Sequence, residues 1–269
     1  MSVIISIIIP CFNHGAYLYE AIASVEKNVS GRPYELIIVD DGSTDSHTID
    51  VIQNLQNQKY NVIRQTNQGL AAARNNGIAL AKGNYIIPLD SDNMLSKGYF
   101  TKAFELLERD PSIDVVYGQP IFFDDGDNDG MREEGLREIG EFNFTKMLDC
   151  NYIDACAMFR KSIWEKVGGY DGSMPAMGHE DWEIWINIFL SGGKFCHLNE
   201  VCFHYRIITG SMLAMDALKK HDLNKQYIYN KYSQGIVSNL LQEIKNLNHS
   251  VRSNKVKNFI KSIIKNRIR

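Results

Sequence analysis

The hydrophobic positions of the chain fall into short continuous runs separated by amphipathic stretches. Val3–Ile9 is apolar apart from Ser6, as expected of a strand buried on both faces of a parallel sheet. Glu35–Val39 and Tyr85–Pro88 repeat the pattern, and Asn61–Arg64 is a shorter run between them. A helix is expected from about Tyr17 to Asn28. A second, capped by Ser43 or Thr44, runs to about Gln56, and a third opens in the Ala-rich stretch Gln68–Gly77. The order β-α-β-α-β-α-β predicts a doubly wound α/β sheet with helices on both faces. Further along, Tyr99–Arg109 reads as a helix, Val115–Gly118 and Ala155–Arg160 as strands, and Lys161–Val167 as a short helix. Gly178–Trp185 opens another helix with carboxylates in its first turn, and Lys194–Tyr205 is a late strand.

At 269 residues and 44% hydrophobic, the chain accommodates one large α/β domain with a small appendage. The net charge of -3 provides no basic field for nucleic acid. Five cysteines, an odd number without a Cys-x-x-Cys pair, read as reduced cytosolic thiols. The first apolar run lacks a basic flank and stops at Pro10, which fits neither a signal peptide nor a membrane span. A cytoplasmic location is therefore expected. After about Met215 the composition shifts, and Tyr227, Tyr229 and Tyr232 suggest a helix packed on the main domain. No acidic residue follows Glu243. From Arg252 to Arg269, basic residues alternate with Val256, Phe259, Ile260, Ile263, Ile264 and Ile268 at helical spacing. Such a basic amphipathic helix suits an anionic membrane surface, so peripheral attachment to the inner face of the membrane through 252–269 is a further expectation.

Chemistry concentrates where the strands end. Tyr85–Pro88 runs into Leu89-Asp90-Ser91-Asp92-Asn93, two carboxylates in Asp-x-Asp spacing. Hard divalent cations take one or two such carboxylates and share the rest of their shell with water and phosphate. Ligands of open α/β sheets gather at the carboxyl ends of strands. Asp90 and Asp92 also suit the simpler role of capping the turn before the next helix. The stretch Asp124–Gly130 has the composition of a calcium loop but lacks its closing Glu, and reads as a surface loop. Neither Gly-x-Gly-x-x-Gly nor Gly-x-x-x-x-Gly-Lys-Ser/Thr occurs after the first strand, which excludes the two commonest nucleotide motifs of β-α-β chains.

Five runs appear in order: Ile7–Asn13, Leu36–Asp45, Asn67–Asn75, Leu89–Asp92 and Glu180-Asp181-Trp182. Together they resemble the family 2 glycosyltransferases of the GT-A fold, over roughly Val3 to Arg206. The resemblance implies an inverting sugar transfer from a nucleotide donor, usually a UDP-sugar, assisted by Mn²⁺ or Mg²⁺. It implies a Rossmann-like, mostly parallel sheet in a catalytic domain of residues 1–215. The nucleotide-binding half would be about 1–118, the acceptor-binding half about 119–215, and C-terminal helices would fill 216–269.

The resemblance also assigns roles. Pro10, Phe12 and Asn13 would frame the base, with Phe12 as an apolar wall. Asp40 is the first candidate for the uracil contact and Asp41 the second, since a carboxylate accepts the imide N–H. Arg74 would reach the nucleotide as a permanently charged fork, Asp90 the ribose, Ser91 the donor beside it, and Arg206 the diphosphate. Asp92 matches the metal ligand, and His204 the histidine that completes the metal shell in some members. Asp181 matches the base that deprotonates the acceptor hydroxyl, with Glu180 and Trp182 on the acceptor. Trp185 and Tyr170 read as core. Thr209-Gly210-Ser211 suits a lid over the donor. A glycan or lipid-linked glycan is expected as the acceptor, with a lipid-linked acceptor in a bacterial surface polysaccharide pathway as the first expectation. Two rivals keep the fold: a non-catalytic sugar-nucleotide-binding partner of another transferase, and a nucleotidyltransferase. Pro10–Asn13 is not the Gly-rich basic loop the latter needs.

Overall fold

The computed structural model describes residues 4–29, 31–124, 132–136, 139–208 and 217–267. Four parallel strands, β1 (Ile5–Cys11), β2 (Tyr34–Asp40), β3 (Asn61–Arg64) and β4 (Tyr85–Pro88), lie in the order β3-β2-β1-β4. The crossovers are α1 (Gly15–Asn28), α2 (Ser46–Asn57) and α3 (Leu70–Leu80). β1 is buried along its whole length, which explains its unbroken apolar sequence. Its alternate residues serve two layers. Ile5, Ile7 and Ile9 join Leu18, Ile22 and Val25 of α1 in one core. Ile8 turns the other way, toward α3, where a Cβ on Gly77 would sit 2.5 Å from its side chain. Glycine there lets the helix approach the sheet backbone closely.

The sheet continues through β8 (Met158–Arg160), β6 (Val115–Asp124), β9 (Phe195–Arg206) and β5 (Met94–Leu95), with β7 (Arg132–Leu136) paired to β6. β6 and β9 are parallel, whereas the β4–β8, β8–β6, β9–β5 and β6–β7 pairs are antiparallel. The sheet is thus parallel through its first four strands and mixed beyond them. The remaining helices are α4 (Tyr99–Arg109), α5 (Phe144–Asp149), α6 (Lys161–Val167), α7 (Glu180–Leu190) and α8 (Ala217–Arg267).

Three local differences from the sequence-based expectation have physical causes. α2 is capped by Asp45, whose Oδ1 accepts the Thr48 N–H at 2.8 Å. Ser43 and Thr44 bond instead to Asn13 of the preceding loop. β8 starts three residues late because Asp154 Oδ1 accepts the Cys156 N–H at 2.9 Å, a local turn that competes with the ladder. β5, β7 and α5, none longer than six residues, carry too little periodicity to be anticipated.

The chain divides into two compact units, residues 1–227 and 228–269. The first includes the opening turns of α8, where the Tyr227 hydroxyl donates to Asp171 at 2.7 Å. The second consists of the rest of α8, a single helix to Arg267. Among the described residues no helix is long and apolar enough to cross a membrane. Side chains from residue 249 onward lie outside the described residues, and with them the basic amphipathic face expected over 252–269. Most of the expected surface loop at 124–130 and the lid at Thr209–Ser211 fall outside as well.

Candidate active site

The ends of β1, β2 and β4 open onto a cleft of about 670 Å³. Pro10–His14, Asp41 and Asp90–Asn93 form its strand-end lining. Asn151–Ala155 and Met177–Asp181, at the start of α7, form another part, and Tyr205 and Phe122 contribute from β9 and β6. The volume suits a nucleotide-sized ligand.

In the strand-end lining, Phe12 is 44% exposed and offers a bare aromatic face. Asn13 sits at a left-handed φ of 56°. Its Oδ1 accepts the N–H groups of Thr44 and Asp45 at 2.8 and 3.2 Å, stapling the β1–α1 loop to the β2–α2 loop. Asp40, the first candidate for the base contact, lies outside the cleft. It is fully buried and accepts from Ser43 N–H and Arg64 Nε, each at 3.0 Å. Asp41 is the one that lines the cleft. Its Oδ1 accepts from Gln65 Nε2 and Gln68 N–H at 2.7 and 2.8 Å, and its Oδ2 from Gly69 N–H at 2.9 Å. The turn that follows them requires Gly42 at φ 75°, where a Cβ would meet Asn67 N at 2.7 Å.

Arg74 lines the cleft but its charge is already engaged. It is 2% exposed, and its two Nη groups donate to Glu180 at 2.5 Å and Asp90 at 2.6 Å. It therefore ties the Asp-x-Asp loop to the start of α7 instead of standing free for a nucleotide. Asp90, Ser91 and Asp92 all line the cleft. Burial, and then Asp90, push the Asp92 carboxyl up to about 6, with His14 opposing. His14 Nδ1 lies 3.7 Å from Asp92 Oδ2. His14 escaped sequence reasoning although it directly follows the Pro10–Asn13 run.

Strand alternation separates the β9 candidates. Tyr205 lines the cleft, its ring 5.3 Å from that of Phe122. His204 and Arg206 point to the other face, both against Phe123. Arg206 is buried, donates through Nε to the Asp92 carbonyl at 3.0 Å, and pairs with Glu20. It supports the Asp-x-Asp loop from behind. Neither residue reaches the cleft, so His204 is not placed as a metal ligand there, nor Arg206 as a diphosphate contact.

At the start of α7, Glu180 is buried and committed: Oε1 accepts from Arg74 and Oε2 from Gly178 N–H at 3.0 Å. Trp182 is fully buried, with Nε1 donating to the Met147 carbonyl at 2.5 Å and its ring stacked on His221. It is core, not an acceptor platform. Asp181 does open to the cleft. Burial, Glu180 and Asp154 hold its carboxyl well above the usual carboxylate range, with Arg74 only partly opposing. Asp154, which sequence reasoning missed, lines the same cleft, and burial and then Asp90 push it up to about 7. Its signal was a single carboxylate inside the apolar run Tyr152–Ala157. Among the described residues no three imidazole, thiol or carboxylate groups converge as a preformed metal site. Asp90 and Asp92 remain the two adjacent oxygen donors.

The cleft thus lies where α/β sheets gather their ligands, at the carboxyl ends of the strands, and it is lined by the Asp-x-Asp pair and, apart from it, by Asp154 and Asp181. The chain belongs to glycosyl transferase family 2, whose family model matches residues 6–168. Among curated relatives it is 30% identical to Escherichia coli UDP-Glc:alpha-D-GlcNAc-diphosphoundecaprenol beta-1,3-glucosyltransferase WfaP, over 78% of this chain and 80% of WfaP. Its fold is similar to that of S. aureus TarS 1-349 in complex with UDP-GlcNAc (TM-score 0.62, 19% identity), over 79% of this chain and 61% of that one. It is equally similar to the mannosyltransferase PcManGT from Pyrobaculum calidifontis in complex with GDP-Man and Mn²⁺ (TM-score 0.62, 16% identity, 87% of this chain and 65% of that one). The chain spans less than two thirds of either solved structure.

Proposed function

We propose that the protein transfers a sugar, with inversion, from a UDP-sugar to a hydroxyl of a lipid-linked glycan during assembly of a bacterial surface polysaccharide. The observation that carries this reading is Asp181, a carboxylate of raised basicity opening to the same cleft as the Asp90–Asp92 pair. A carboxyl whose ionised form is disfavoured by its surroundings is a stronger base, suited to taking a proton from a sugar hydroxyl. The name of WfaP supports the UDP-sugar and the lipid-linked acceptor, and the UDP-GlcNAc complex of TarS supports the same donor class.

A divalent cation fits the residues present. Asp92 and Asp90 are neighbouring acceptor-only groups, and burial and then the Asp90 charge raise Asp92. That donor set suits Mn²⁺ or Mg²⁺, which take few carboxylates and complete their shells with phosphate oxygen and water. When bound, the cation supplies Lewis-acid stabilisation of charge growing on the departing diphosphate. The chain's own residues do the rest. Phe12 presents a face to the base, and Asp41 with Asn13 sets the loops around it. Arg74 and Arg206 hold the Asp-x-Asp loop in place. Asp181 accepts the acceptor's proton as the new C–O bond forms opposite the breaking C–O bond to phosphate, which inverts the anomeric carbon.

Isothermal titration of UDP in Mn²⁺ and then in EDTA, on wild type and Asp92→Ala, tests the donor site. Metal-dependent binding lost in the variant is expected. Binding of GDP but not UDP would replace the donor, and binding of neither would remove the reading. Binding of a UDP-sugar without turnover on any glycan would favour the non-catalytic partner. The basic stretch 252–269 extends the reading to an anionic membrane surface. Its deletion is expected to abolish sedimentation with phosphatidylglycerol vesicles, and unchanged sedimentation would sink that part.

A further inference from the structure

Asn224, on the first turns of α8, is fully buried and polar. It lies beyond the stretch matched by the family model. Its carboxamide is gripped on both sides by one residue: Ala176 N–H donates to Oδ1 at 3.0 Å, and Nδ2 donates to the Ala176 carbonyl at 2.8 Å. A backbone N–H can only donate and a carbonyl only accept, so the orientation of the amide is settled. The second hydrogen on Nδ2 then faces His179 Nδ1, 3.0 Å away. A donor at that distance requires an acceptor, so Nδ1 carries no proton. In a neutral imidazole the proton must sit on Nε2, at the other edge of the ring. Protonating the ring would bring two N–H donors face to face.

His179 lines the cleft directly before Glu180 and Asp181, and among the described residues its Nε2 makes no hydrogen bond. We propose that Asn224 locks His179 in the neutral Nε2–H tautomer, making it a fixed hydrogen-bond donor to a sugar oxygen of the acceptor beside Asp181. The inference rests on the reading of Asp181 as the base and deepens it. Burial, and then His221, lower the imidazole pKa, in keeping with a neutral ring. Neutrality has a chemical purpose here. An imidazolium beside Asp181 would stabilise the carboxylate and weaken it as a base, whereas a neutral N–H orients the acceptor without that penalty. The first turns of α8 thereby belong to the catalytic apparatus.

The tautomer is directly measurable on the full chain by long-range ¹H–¹⁵N NMR of the histidine rings, with His179 assigned by its loss in His179→Gln. The Nε2–H pattern is expected, and an Nδ1–H pattern overturns the inference. Turnover is measured with a synthetic α-GlcNAc-diphosphoryl alkyl chain as acceptor probe and UDP-glucose as donor. Removing one hydrogen bond in His179→Ala is expected to lower kcat/KM for the probe about tenfold, with UDP affinity as the folding control. His179→Gln, whose side-chain amide places a donor near Nε2, is expected to recover most of that loss. Wild-type turnover by His179→Ala overturns the acceptor role. A wild type that fails to bind Mg·UDP defeats the donor reading instead. One that binds Mg·UDP but ignores this probe removes the lipid-linked acceptor and leaves the tautomer to decide the inference.

Discussion

Asp41, in the strand-end lining of the cleft, and Asp40, buried behind it, accept five hydrogen bonds between them from neighbouring loops. Around the start of α7, Asp181 is held high by burial, Glu180 and Asp154, and Asp154 by burial and Asp90. The contrast shows how one residue type performs two tasks. A carboxylate surrounded by N–H donors is content as an anion and serves as a rigid frame. A carboxylate buried among other carboxylates resists ionisation and is available to take up a proton. Arg74 stands between the two settings, bonded to Asp90 of one and Glu180 of the other.

The sharpest way to break this comparison is Asp181→Asn, which keeps the shape and removes the basicity. Transfer is expected to fall by about 10³-fold or more, while calorimetric UDP binding persists. Substantial residual turnover would mean that the two linings do not differ in function. Next in size is Arg74→Ala. Removing a buried charge from between two carboxylates is expected to cost about 3–5 kcal/mol of stability, read by urea unfolding. A loss below 1 kcal/mol, judged against roughly 0–1 kcal/mol for surface pairs, would show that the bridge is not structural.

A smaller effect is a dependence of stability on pH. The folded protein retains protons on Asp154, pushed up to about 7, and on Asp92, pushed up to about 6, which an unfolded carboxyl releases near about pH 4. The folded state therefore binds more protons across this window, and stability declines as pH rises through it. In EDTA without nucleotide, the melting temperature is expected to be higher at pH 5 than at pH 8. Asp154→Asn is expected to flatten that slope, and an unchanged slope would detach Asp154 from the effect. The smallest expected change is in His204→Ala. Because this side chain lies on the face of β9 away from the cleft, Mn²⁺-dependent UDP binding should match wild type, and its loss would return His204 to the metal shell.

The strand cores were legible because burial on both faces leaves no room for polar alternation, as in Ile5–Ile9 and Tyr85–Pro88. The Asp-x-Asp loop and Asp181 were legible because each stands at the end of an element with a recognisable run around it. Asp40 and Asp41 could not be told apart, since both are polar at a strand end and only the pleat decides which one turns inward. His204 and Arg206 failed for a related reason. Their spacing shows that they share a face, but which face meets the cleft depends on strands β6 and β9 brought together from distant parts of the chain.

Sequence alone determined the β-α-β order, the family to which the chain belongs and the location of its carboxylates at element ends, because these depend on local periodicity and short motifs. Only the tertiary structure decided the state of each charged group. Whether Arg74 is free or bridged, whether Glu180 is committed, whether Asp154 holds a proton, and which nitrogen of His179 carries one all depend on partners 16 to 106 positions away. Asp90 and Glu180 lie 16 and 106 positions from Arg74, and Asn224 lies 45 from His179. Desolvation and hydrogen bonding act over a few ångströms of space, and chain distance does not enter into them.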